Sequence, residues 1–170
     1  MGHFAESRLR VSCRHSARAL FGPAELFIAM PSALTIGYSE AKQALDLIME
    51  RAREMQKAVA IAIADSHGEL IAFARMDGVP LPSILVSMNK AWTAARTGKP
   101  TQEIGEKVKH PERGHDISYY GDPRYVGWGG GIPVQIKGQL VGAVAVSGLS
   151  SVEDAALAVL GAELIARSIG

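Results

Sequence analysis

Two apolar runs, "VAIAIA" at 59–64 and "LVGAVAV" at 140–146, most constrain what this chain can become. Each is far short of the ~20 residues that cross a bilayer, and each has the length of a buried strand. The first is apolar on both faces, with small alanines between its isoleucines, so it lies centrally in a sheet covered on both sides. Each run is also one half of a hairpin. In "KAVAIAIADSHGELIAFARMDG" two strands meet at Ser66–Gly68, where Gly68 supplies the positive φ of the turn. In "GIPVQIKGQLVGAVAVSG" two strands flank a Lys137–Gly138 turn, and Pro133 restricts the earlier one to an edge.

Helical signals separate the hairpins. Ser39 is placed to cap a helix reaching about Gln56, with Ala41, Leu45, Ile48, Ala52 and Met55 on one stripe. Pro80 and Pro82 lead into a second helix, about Ser83 to Arg96, closed by Gly98 and Pro100. Thr101 caps a short third helix to about Lys107. Ser151 and Asp154 form a capping box for the last, whose inner face carries Ala155, Val159, Ala162 and Ile165. The order α-ββ-α-α-(β)ββ-α describes an antiparallel sheet with helices on its faces, an α+β domain.

Residues 1–30 stand apart. They carry Arg8, Arg10, Arg14 and Arg18 without sustained periodicity, and Gly22, Pro23 and Glu25 interrupt any apolar signal core. The expectation is a disordered or non-native extension followed by one domain at 31–170. With a net charge of +1 the chain has no basic field for nucleic acid or an anionic membrane surface. Cys13 is the only cysteine, which excludes an intrachain disulfide, a CxxC pair and a cysteine-built zinc site. A cytoplasmic location is expected, with export left open.

Four stretches carry residues suited to chemistry. In "FARMDGVPLPS" (73–83), Arg75 and Asp77 sit where a strand leaves the sheet. Arg75 there can clamp a carboxylate with its two-pronged donor geometry, or pair with Asp77 and fix the turn. In "SMNKAWTAARTGKPT" (87–101), Lys90 and Thr93 share a helical face, while Ala91, Ala94 and Ala95 make the helix thin enough for close packing. A partly dry Lys90 can act as a base or imine-forming amine, or simply lay its stem over apolar surface. The loop "HPERGHDISYYGDPRY" (110–125) brings His110, His115, Tyr119, Tyr120 and Tyr125 together. Its imidazoles suit haem iron and its tyrosines a porphyrin face, although exposed histidines without a ligand fit the spacing equally. Finally, "GWGGGIPV" (127–134) has the bareness of an anion-holding nest at Gly129, Gly130 and Gly131, or of a bulge entering an edge strand. No P-loop or dinucleotide fingerprint is present, because a strand and not a helix follows.

Taken in order, "AIADSHGELIAFARMDG", "NKAWTAARTGKPT", "GGGIPV" and "GQLVGAVAVSGLSSVEDAALA" resemble the GlcG/HbpS family of haem-degrading domains, which extends to the C-terminal domain of PduO-type corrinoid adenosyltransferases. The resemblance runs from about Leu34 to Gly170. It implies a profilin-like sandwich with a five-stranded antiparallel sheet, assembled as a homo-oligomer, often an octamer, that binds haem or another tetrapyrrole. In that frame Arg75, Asp77, Lys90, Thr93, Gly129, Gly130, Gly131 and Tyr119 wall the ligand site, and His110 or His115 ligates iron. Two other readings accompany it. One is a catabolic hydrolase or tautomerase acting on a small carboxylated metabolite, with Lys90 or a loop histidine as base and Arg75 as clamp. The other is an accessory subunit without a ligand, its glycines serving packing alone.

Overall fold

The structure is a computed structural model and describes residues 34–170; the extension at 1–30 and its boundary lie outside the described residues. In chain order it contains α1 (Tyr38–Glu54), β1 (Ala60–Asp65), β2 (Leu70–Arg75), α2 (Pro82–Thr97), α3 (Thr101–Val108), a 3₁₀ turn (Ile117–Tyr120), β3 (Gly131–Ile136), β4 (Gln139–Ser147) and α4 (Ser151–Ile169). The strands form one antiparallel sheet in the order β2-β1-β4-β3. The α+β architecture of two hairpins between helices is therefore present. The sheet has four strands among the described residues, not the five implied by the resemblance. The segment before β3 makes no ladder, because its backbone groups are taken by threonines: Arg124 C=O and Val126 N–H by Thr93, and Trp128 C=O by Thr101.

Strand alternation sorts the core into two unlike halves. Ile61 and Ile63 of β1 with Val144 and Val146 of β4 face α1 and α4, where Leu45, Ile48, Leu157 and Ile165 complete the main core. On the other face stand Ala62, Ala64, Ala143 and Ala145, against Ala91, Ala94 and Ala95 of α2. Alanine on alanine brings the α2 backbone close to the sheet, and Lys90 of α2 reaches the β4 backbone at Val146. β1 and β4 are central and buried, as their composition requires, while β3, with Pro133, is an edge strand.

Helix starts depart from the sequence reading by one or two residues, with consequences for α4. Its capping box is formed by Ser150 and Glu153, each side chain accepting the other's backbone N–H at 3.3 and 3.2 Å. That releases Asp154 into the interior. It also rotates the inner face onto Leu157, Ala158, Gly161, Ala162 and Ile165, leaving Val159 exposed and Ala155 half-buried. α1 begins after Gly37 without a side-chain cap, and Ser39 Oγ instead accepts from Gln43 Nε2 at 3.3 Å. Thr101 is the first residue of α3, not its cap. No helix among the described residues is long and apolar enough to cross a membrane.

The close α2–sheet contact makes a specific demand. Ala145→Leu should force α2 off the sheet and lower stability by about 1–3 kcal/mol, the usual cost of overpacking. It is read as a fall in the urea midpoint, and an unchanged midpoint would show that the alanine face is not tightly packed.

Candidate functional site

The polar face of α2 points inward. Lys90 is only 2% exposed, and its Nζ donates to Asp154 Oδ2 at 2.8 Å and to the Val146 carbonyl at 3.0 Å. Asp154 Oδ1 accepts the Leu149 N–H at 3.1 Å, so the pair ties α2, the end of β4 and the start of α4 together. Burial pushes the Lys90 ammonium down and the Asp154 carboxyl up, and each partner opposes the shift of the other. Lys90 is neither a surface lysine with a buried stem nor an isolated amine.

Thr93 and Thr101, both fully buried, hold the bare stretch from either side. Thr93 Oγ1 donates to the Arg124 carbonyl at 3.2 Å and accepts the Val126 N–H at 3.1 Å. Thr101 Oγ1 donates to the Trp128 carbonyl at 2.6 Å and accepts the Gly131 N–H at 3.0 Å. Between them the glycines press against the protein itself. A Cβ on Gly130, where φ is +119°, would stand 2.8 Å from both Lys90 Nζ and Asp154 Cβ. One on Gly131 would stand 2.6 Å from the Lys90 carbonyl, and one on Gly129 2.9 Å from the Ser151 carbonyl. Gly127 backs directly onto Gly105 of α3. The bareness thus serves close approach of α2, α3 and α4, and the Gly131 amide is already bonded.

Arg75 and Asp77 are not brought to this place. Both are exposed, they make no ion pair with each other, and they border an open groove of about 480 Å³ with Met49, Arg53 and Lys57.

The loop after α3 is anchored on α2 by a stack of rings. Tyr125 meets Trp92 edge-on at 5.0 Å, Tyr120 stacks on Tyr125 at 4.4 Å, and His115 tilts against Tyr120 at 5.6 Å. The Arg124 guanidinium lies 4.0 Å over the Trp92 ring and is gripped by Asp122 at 2.7 Å, whose carboxyl the Arg124 hydrogen bonds draw down to about 2. An open cleft of about 660 Å³ lies between the end of α2, α3 and this loop. Tyr120, Tyr125 and Ile104 form its apolar wall, Arg96, Lys99 and Lys107 supply positive charge, and Glu103 and Glu106 also line it, leaving a small positive excess. Tyr119, the tyrosine singled out from the sequence, is 81% exposed, and its neighbour Tyr120 faces the cleft instead. Arg96, Lys99 and Lys107 were not expected. For Lys107 one signal was available, since it stands four residues after Glu103 on the same face of α3.

The two histidines differ in readiness to bind a metal. His110 lines the cleft, but its Nδ1 accepts the Glu112 and Arg113 amides at 3.3 and 3.2 Å. Coordination through Nδ1 would have to displace both amides. The Arg113 guanidinium also crowds Nε2 at 3.2 Å. His115 makes no ring hydrogen bond among the described residues. No group of three or more His, Cys, Asp and Glu side chains is arranged to hold a metal ion among the described residues.

Comparison with known proteins adds a family. Residues 36–163 match the family model described as haem degrading protein HbpS-like. A 15.0 kDa protein from the dhaT-dhaS intergenic region of Citrobacter freundii is 32% identical over 124 residues, covering 73% of this chain and 87% of that protein. Protein GlcG of Escherichia coli K12 is 35% identical over 98 residues, covering 58% of this chain and 70% of GlcG. Among solved structures, a PduOC:heme complex superposes with a TM-score of 0.72 at 26% identity, covering 76% of this chain and 94% of that one.

The buried pair yields a stability test. Asp154→Ala should cost about 3–5 kcal/mol in denaturant unfolding, because it strands the Lys90 ammonium in the interior. The double variant Lys90→Met with Asp154→Leu should recover most of that loss, whereas equal costs in both would mean that the pair is solvated.

Proposed function

Because the chain belongs to the HbpS-like family, we propose that it binds haem or a related tetrapyrrole, and does so as a homo-oligomer. The observation carrying this reading is the cleft beside α3, where two stacked tyrosines and three cations surround a space of about 660 Å³. That volume falls in the range of small-molecule and cofactor sites, roughly 300–1,000 Å³. A porphyrin is a flat apolar disc with carboxylates on one edge. Tyr120, Tyr125 and Ile104 offer the disc an apolar wall, and Arg96, Lys99 and Lys107 offer its propionates charge-assisted hydrogen bonds. A relative in this family, the PduOC domain, has been solved as a heme complex, which supports the same ligand class here.

Bound haem would supply an iron whose behaviour is set by its axial ligand and the polarity around it. Of the two imidazoles, His115 is the better ligand, since its ring nitrogens are free among the described residues and it rests on Tyr120. His110 would first have to release the turn at 110–113. The sequence-derived wall of Arg75, Asp77, Lys90, Thr93 and Gly129–Gly131 is replaced in this proposal by residues nearer the loop. Assembly is supported by Leu81 and Leu85, four residues apart and both exposed at the start of α2. Light scattering after size-exclusion chromatography tests it, and a monomer mass overturns it.

Hemin titration should give a shifted Soret band at a defined stoichiometry. Arg96→Ala combined with Lys99→Ala should weaken hemin binding roughly tenfold, equivalent to about 1.4 kcal/mol, while Tyr119→Ala leaves it unchanged. His115→Ala should alter the Soret position yet preserve binding of iron-free protoporphyrin. An unaltered titration in the Arg96/Lys99 variant would move the ligand out of this cleft.

A further inference from the structure

A second cavity, of about 430 Å³, opens where the start of α2, the end of β4 and the start of α4 meet. Two serines line it, Ser83 at 8% exposure and Ser147 at 6%, and neither hydroxyl makes a hydrogen bond among the described residues. Other buried hydroxyls are spoken for: Ser87 donates to the Ile84 carbonyl at 2.9 Å, and Thr93 and Thr101 each make two bonds. The Ser83 and Ser147 side chains are nine-tenths buried, and their hydroxyls, open to the cavity and unbonded within the protein, are available to a guest there.

Other groups at the cavity can donate as well. Lys90 reaches it, and two of its three N–H groups serve Val146 and Asp154, which leaves one. In the first turn of the 19-residue α4 the capping box uses the amides of Ser150 and Glu153. The N–H of Ser151, which lines the cavity, has no intrahelical acceptor and lies at the positive end of the helix dipole. The Asp154 carboxylate also lines the cavity, and its pairing with the Lys90 ammonium makes the two neutral as a unit, so the attraction for an anion comes from the remaining N–H and O–H donors. Beside these donors the Trp128 indole, 59% exposed, and the Val86 side chain give an apolar wall.

We infer that this cavity binds a small carboxylate with an apolar or aromatic body: the carboxylate meets Ser83, Ser147, Lys90 and the Ser151 amide, and the body rests on Trp128. The site shares no lining residue with the tetrapyrrole cleft and is independent of that proposal.

The test is isothermal titration calorimetry of the full chain with benzoate, phenylacetate and pyruvate, and with benzamide as the neutral control. At least one acid should bind saturably, and benzamide should bind at least tenfold more weakly than benzoate. Ser147→Ala and Ser83→Ala should each lower the acid's affinity by tenfold or more. Neither should lower the thermal midpoint of the free protein, because no intramolecular bond is lost, and hemin titration should be unchanged. Saturation by none of the three acids, equal binding of benzamide, or undiminished affinity in both serine variants would overturn the proposal. A lost hemin response with intact acid binding would count against the cleft reading alone.

Discussion

The Lys90–Asp154 ion pair is the contact on which the rest of this fold's polar corner depends. A lysine and an aspartate almost fully removed from water are each costly, and they persist because each satisfies the other while Val146 and Leu149 supply the remaining hydrogen bonds. The pair joins three elements that are distant in sequence. It fixes how far α2 slides along the sheet and where α4 begins. Gly130 is bare because the Lys90 ammonium and Asp154 stand where a side chain would be.

From that corner the structure builds outward with small residues and hydroxyls. The alanine face lets α2 sit low on the sheet, which puts Thr93 within reach of the loop and leaves Thr101 at the mouth of the glycine stretch. Those two threonines take the backbone groups of residues 124–131 that a further strand would otherwise pair. Freed from the sheet, the segment before them folds against Trp92, and the ring stack of Tyr125 and Tyr120 becomes the wall of a cleft. The same threonine contacts that keep this segment out of the sheet thus shape the cavity proposed to hold a tetrapyrrole.

The two cavities divide the chemistry of the surface. The larger offers aromatic faces and three cations against two carboxylates, suited to a broad, flat guest with an anionic edge. The smaller offers buried donors held by secondary structure, suited to a compact acceptor. They lie along the same helix, Lys90 reaching one and Arg96 the other, and the rigidity of α2 keeps them separate.

The sequence by itself determined the elements and their class. The unbroken apolar runs "VAIAIA" and "LVGAVAV" announce central strands, Gly68 and Gly138 mark the hairpin turns, and the motifs in order point to the family, because hydrophobic pattern, turn chemistry and local order are all written in neighbouring residues. Only the tertiary structure decided the partners. Asp154 reads as a capping residue until α4 is seen to start at Ser150, and nothing in a linear spacing links it to Lys90, 64 residues away. The glycines read equally as nest or corner until Lys90, Thr101 and Ser151 are seen against them. Tyr119 and Tyr120 are indistinguishable in sequence, yet one turn of 3₁₀ helix sends the first to solvent and the second into the cleft. Burial and pairing are properties of three-dimensional neighbours, and those are set by packing across the sheet, not by distance along the chain.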